Sequence, residues 1–120
     1  MKKVTMNDIP RTEATAPLFT GNVGRQAILN PEDSSNFNFG IVAFPAGIRN
    51  KFHKHSGDQI LIVTEGTGKV ATDNEELEVT EGDVILIPAG ENHWHGAPDS
   101  TAMAHITITV NGSETEQTEA

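Results

Sequence analysis

Residues 51–66 read Lys51-Phe52-His53-Lys54-His55-Ser56-Gly57-Asp58-Gln59-Ile60-Leu61-Ile62-Val63-Thr64-Glu65-Gly66. Two histidines at i, i+2 precede an apolar, β-branched run that ends on a glycine turn signal. A strand puts alternate side chains on one face, about 6.6 Å apart along the backbone, so two imidazoles on one strand can converge on a single ion. Neutral imidazole is the commonest protein ligand for metals. A second such pair, His93/His95, follows the turn Pro88-Ala89-Gly90. Five histidines placed at random over 120 positions would give roughly 0.2 pairs of this spacing, so two exceed what composition predicts. Histidines also serve as half-buried polar strand residues, but that reading accounts for one pair more easily than for two. The spacing predicts a metal site inside a β-barrel.

Outward from this stretch, residues 37–110 carry short β-rich runs: Phe39 to Phe44, Gln59 to Thr64, Lys69 to Thr72, Leu77 to Val79, Val84 to Ile87 and Ala102 to Val110. Turn signals separate them at Pro45-Ala46-Gly47, Glu65-Gly66-Thr67-Gly68, Asp73-Asn74-Glu75, Glu81-Gly82-Asp83 and Pro88-Ala89-Gly90. No window sustains a helical period, so the reading is an all-β sandwich or barrel in one domain. Residues 1–36 form an arm with short strands expected at Gln26 to Leu29 and Leu18 to Val23, unable to hold a core alone. Residues 111–120 are acidic and lack an apolar anchor, which predicts a frayed tail. Ile60-Leu61-Ile62-Val63 and Val84-Ile85-Leu86-Ile87 are apolar at every position, so both faces of these strands should be covered. A second subunit is the expected outer cover, making a homodimer or higher homo-oligomer.

The formal charge of −9, with only eight Lys and Arg, argues against nucleic acid or an anionic membrane as partner. Lys2/Lys3 and Arg49/Lys51/Lys54 are too sparse to alter that. The absence of cysteine removes disulfides, thiolate ligands and thiol nucleophiles. No apolar stretch reaches the length of a membrane span, and the N-terminus lacks the apolar core of a signal peptide, so a cytoplasmic protein acting on a small molecule is the expectation.

The strings Gly47-x5-His53-x-His55-x3-Gln59-x6-Gly66 and Gly82-x5-Pro88-x-Gly90-x2-His93 resemble the paired motifs of the cupins, small jelly-roll β-barrels (double-stranded β-helices) that bind a divalent metal. The resemblance implies His53, His55, Gln59 and His93 as metal ligands. It departs from the family pattern twice: Gln59 stands where an acid is expected, and Ala97 where an asparagine is. A neutral amide leaves the ion's full charge uncompensated, which favours bound anions and alkoxides. Asp58 should face away from Gln59 by alternation, and Trp94 away from His93.

His95 shares a face with His93. In Ala104-His105-Ile106-Thr107-Ile108-Thr109 the alternation puts His105, Thr107 and Thr109 on one face, which the pattern alone assigns equally to the lumen or to solvent. The gathering of the other histidines selects the lumen, where an unligated imidazole is a suitable general base. Leu18-Phe19-Thr20-Gly21, Gln59-x-Leu61-Ile62-Val63-Thr64-x-Gly66 and His93-Trp94-His95-Gly96-Ala97 are similar to small bacterial cupins that include manganese-dependent hydroxynitrile lyases. That similarity implies reversible cleavage of a cyanohydrin such as (R)-mandelonitrile. It implies manganese as cofactor, although iron, nickel and zinc suit the same donors, and it places His105 in the pocket, with His95 beside it. Gly40 and Val42 either shape that pocket or belong to ordinary core. A metal-dependent dioxygenase, a sugar-acid isomerase and a non-catalytic metal- or ligand-binding module compete with the lyase. The isomerase would need basic residues in the cavity, and none is expected on the inner face.

Overall fold

The computed structural model describes residues 1–120. Ten strands follow one short 3-10 turn at Met6–Asp8: β1 (Thr12–Ala14), β2 (Val23–Leu29), β3 (Phe37–Phe44), β4 (His53–His55), β5 (Gln59–Thr72), β6 (Glu76–Thr80), β7 (Val84–Ile87), β8 (His93–Gly96), β9 (Met103–Val110) and β10 (Thr115–Gln117). All pairings are antiparallel. One sheet runs β1-β2-β3-β9-β5-β7 and the other β10-β4-β8-β5-β6, so the two share β5. This is the all-β jelly roll that the motifs imply.

The shared strand corrects one expectation. The Glu65-Gly66-Thr67-Gly68 segment is not a turn between two strands but the bend at which β5 leaves the first sheet and enters the second. A register shift against β9 falls between Val63 and Glu65, and Gly66 takes φ +71°. A side chain there would collide with the Ala102 carbonyl oxygen, so both the conformation and the close approach require glycine.

The β9 alternation has a definite sense in the barrel. Ile106 joins Ile28 and Ile41 in an outer cluster with Ile62 and Ile108, which Val4 and Ile9 of the arm pack against. His105, Thr107 and Thr109 face inward, on the side of the main core formed by Val23, Val42, Phe44, Leu61, Val63 and their neighbours. The arm is therefore a cover for the outer face of the first sheet. Its expected strand at 18–23 is reduced to a single bridge, Phe19 to Asn50, while the second strand begins earlier than expected, at Val23.

Two further expectations change. The acidic tail is not frayed: Thr115–Gln117 pairs residue for residue with His53–His55, and Glu119 forms an ion pair with Arg49 at 2.8 Å. Backbone hydrogen bonds along the free edge of β4 hold a strand in place without any apolar anchor. Strand β7 is covered on one face only, with Ile87 buried and Val84 and Leu86 65% and 61% exposed.

Candidate metal centre and catalytic pocket

Four donor groups arrive from three strands. β4 contributes His53 and His55, the first residue of β5 contributes Gln59, and the first residue of β8 contributes His93, directly opposite His53 in register. The candidate ligand atoms of the three histidines all lie within 4.8 Å of one another, close to the roughly 4.2 Å that two metal–nitrogen bonds span. His53 and His93 are 1% and 0% exposed.

Hydrogen bonds to the far ring nitrogens decide which lone pairs point inward. His53 Nδ1–H donates to the Lys51 carbonyl at 2.6 Å, and His93 Nδ1–H to the Glu91 carbonyl at 2.8 Å. His55 Nδ1 is hydrogen-bonded to Thr115 Oγ1 at 2.8 Å, and its Nε2 is buried with no partner. His53 and His93 thus carry their protons outward and a bare Nε2 inward, the arrangement in which histidine ligates metals, and the Thr115 hydroxyl, able to accept, allows His55 the same. Gln59 Nε2 donates to Thr107 Oγ1 at 2.9 Å, which turns Oε1 toward His93 Nε2 at 3.1 Å. Two lone pairs face each other there with no proton between them, and a cation is what such a cluster accommodates. The donor set fits a divalent transition metal.

Burial keeps the rings neutral. Desolvation first, then the neighbouring His93, pushes His53 down to about 4. Desolvation is also the leading cause that lowers His55 and His93. Neutral rings are competent ligands without having to lose a proton first.

His95 and His105 form a separate pair. His105 Nε2 lies 2.9 Å from His95 Nδ1, and both rings are buried. Asn50 holds the His95 end of the pair. Its Oδ1 accepts the His95 backbone N–H at 2.8 Å, which turns its Nδ2 toward the His95 ring, 3.2 Å from Nε2 and 3.4 Å from Nδ1. One proton lies between His95 Nδ1 and His105 Nε2, and His105 Nδ1 is buried with no partner. Desolvation lowers both, His105 to about 4 and His95 well below the ordinary imidazole value, with the His105 neighbour as the second cause for His95.

A cavity of about 530 Å³ connects these groups, within the range of small-molecule sites. His53, His55, Gln59, His95 and His105 reach it, as do Gly40, Val42, Thr107 and Thr109. Asp58 accepts the Ala89 N–H at 2.8 Å, away from the cluster, and Trp94 lies under the Arg49 guanidinium at 4.8 Å. One expectation fails here, because a basic residue does line the cavity: Arg25, at the inward-facing position of β2 opposite Val42.

Asn50 and Thr115 are site residues that the sequence reading passed over. Asn50, 3% exposed, sits in an irregular segment with no periodicity to mark it, and Thr115 lies in a tail that composition marked as unstructured. Because Thr115 aims His55, Thr115→Val is expected to weaken metal affinity about tenfold or more, with Thr115→Ser restoring it. Calorimetric titration with Mn²⁺ measures this, and affinity unchanged in the valine variant would remove the orienting role.

The cupin domain family matches residues 40–114. A relative from Granulicella tundricola named (R)-mandelonitrile lyase is 37% identical over 94 residues, covering 78% of this chain and 72% of the relative. Among solved structures, a cupin-like protein from Thermotoga maritima has 32% identity and a TM-score of 0.85, covering 91% of this chain and 85% of that one. A polyketide cyclase from Streptomyces resistomycificus reaches a TM-score of 0.87 over 100% of this chain and 87% of its own, at 17% identity, a likeness of fold alone. The matched segment covers more than half of the chain and spans the positions of all four candidate ligands, and the chain belongs to the cupin family.

Proposed function

We propose that this chain is a metal-dependent lyase that cleaves and forms cyanohydrins of the (R)-mandelonitrile type, with manganese as its resident cation. The observation that carries the reading is the convergence of three bare imidazole nitrogens and the Gln59 carbonyl beside an unligated histidine pair on one cavity. The relative named (R)-mandelonitrile lyase supports the choice of reaction. A divalent cation held by His53, His55, Gln59 and His93 supplies Lewis-acid polarisation of the substrate oxygen when bound.

The chain's own residues manage the proton. In cleavage His105, donating its Nε2–H to His95, takes the hydroxyl proton on its unpartnered Nδ1, the C–CN bond breaks with its electron pair leaving on cyanide, and the aldehyde carbonyl forms. Cyanide then takes the proton from His105 and leaves as hydrogen cyanide, so the histidine returns to its neutral form. Burial holds His105 at about 4, which keeps it neutral before reaction and makes its protonated form a ready donor to cyanide, a much stronger base. His95 holds the His105 ring, and Asn50 holds His95.

The test is release of benzaldehyde and cyanide from racemic mandelonitrile by manganese-loaded protein. His105→Ala is expected to lose about 10²-fold or more in rate while keeping its metal. Wild-type activity no higher than that of His53→Ala would sink the lyase reading and leave the metal centre standing.

The assembly reading is a homo-oligomer built on β7, whose Val84 and Leu86 are exposed on the outer face of the first sheet. Apolar side chains exposed this way on an edge strand are covered by association. Sedimentation should show a dimer or larger species that Leu86→Glu converts to monomer, and a monomeric wild type at micromolar concentration would overturn it.

A further inference from the structure

We propose that Arg25 is the anchor for a carboxylate on the substrate, so that the cavity takes a small carbonyl or hydroxy compound bearing a carboxylate at the end away from the histidine cluster. The inference names the substrate class of the proposed reaction and rests on that reading only for the carbonyl or hydroxyl at the metal end.

Three observations carry it. The first is position. Arg25 pairs with Thr12 on one side and with Val42 on the other, and Val42 pairs in turn with His105. Residues directly opposite across a ladder share a face, so Arg25 lies on the His105 face, two strand spacings or roughly 9.6 Å away. A ligand that touches both must span the cavity rather than sit at one end.

The second is charge. The chain has 17 acidic residues and eight basic ones, yet no Asp or Glu lines the cavity and a single basic residue does. With the histidines neutral and Gln59 in the place of an acid, Arg25 is the only fixed charge on the wall before a metal binds, and nothing on the wall compensates it.

The third is partnership. Lys2, Arg11, Arg49, Lys54 and Lys69 each form an ion pair with a carboxylate. Arg25 forms none, although the chain has acids in excess. A guanidinium presents a planar fork that matches a carboxylate with two parallel hydrogen bonds, and one positive charge matches one carboxylate. A phosphate monoester, with nearly two charges, would lack a second cation.

Direct binding tests this. The probes are 4-carboxybenzaldehyde and its neutral analogue 4-formylbenzamide, titrated calorimetrically into metal-free and manganese-loaded protein. Wild type should bind the carboxylate about tenfold more tightly than the amide in both forms, as expected for a charge-assisted pair open to solvent. Arg25→Gln should abolish the preference and Arg25→Lys should keep part of it. Equal affinity of wild type for the two probes, or a preference that survives in Arg25→Gln, would overturn the assignment. An Arg25-dependent preference without mandelonitrile cleavage would remove the lyase reading and keep this one. Cleavage without the preference would do the reverse.

Discussion

His93→Ala is expected to lose metal affinity by more than 10²-fold and mandelonitrile cleavage to background. His93 is the only candidate ligand from β8, and its Nε2 faces the Gln59 oxygen at 3.1 Å. Removing it leaves two imidazoles on one strand and an amide, with nothing opposite them to close the coordination sphere. Loss of an orienting partner alone costs about 10–100-fold in affinity, so loss of a ligand should exceed that range. The fold should survive, because His93 contributes to the β5–β8 ladder through its backbone, which alanine keeps. Metal content by elemental analysis and calorimetric titration measure the effect, and circular dichroism checks the fold. An alanine variant that retains stoichiometric metal would show that the cation sits elsewhere.

How far this centre was readable from the sequence depended on the kind of signal each residue carried. The His53/His55 spacing and the His105-x-Thr107-x-Thr109 alternation are side-chain periodicities, and the barrel turns them into geometry: both sets face the lumen. Tail residue Thr115 carried no such signal, because β10 is held by backbone hydrogen bonds to β4, which composition does not record. Gly66 and Gly68 gave the signal of a turn, yet the chain uses Gly66 to carry one strand from sheet to sheet past Ala102. Arg25 lay outside the expected strand, which began at Gln26, whereas β2 begins at Val23 and puts Arg25 opposite Val42 at the cavity. Asn50 joins the site through long-range contact with His95, which no local pattern can reveal.

Metal-free protein is expected to lose several kcal/mol of stability between pH 6.5 and pH 4. His53 and His105 are each lowered from 6.5 to about 4, with desolvation the leading cause in both. In that interval the unfolded chain binds protons at these positions and the folded chain does not, so stability rises with pH. Their contribution is complete above pH 6.5 and is lost as pH falls to about 4. At about 1.36 kcal/mol per pKa unit, each accounts for up to about 3 kcal/mol. His55, His93 and His95 shift in the same direction and add to the slope. A domain stable by about 5–15 kcal/mol is brought near its unfolding midpoint by such a loss. Between pH 6.5 and 5 ordinary carboxylates stay ionised, so the slope there belongs to the histidines. Urea unfolding of chelator-treated protein at half-unit pH steps measures it. Replacing His105 with glutamine should flatten the profile, because one buried titrating ring is gone. Bound metal should raise stability most at neutral pH and progressively less as protons compete for the same Nε2 atoms. A metal-free midpoint that stays constant from pH 7 to 4.5 would mean that the rings are protonated in the folded state, and hence that the cluster is wetter than its burial implies.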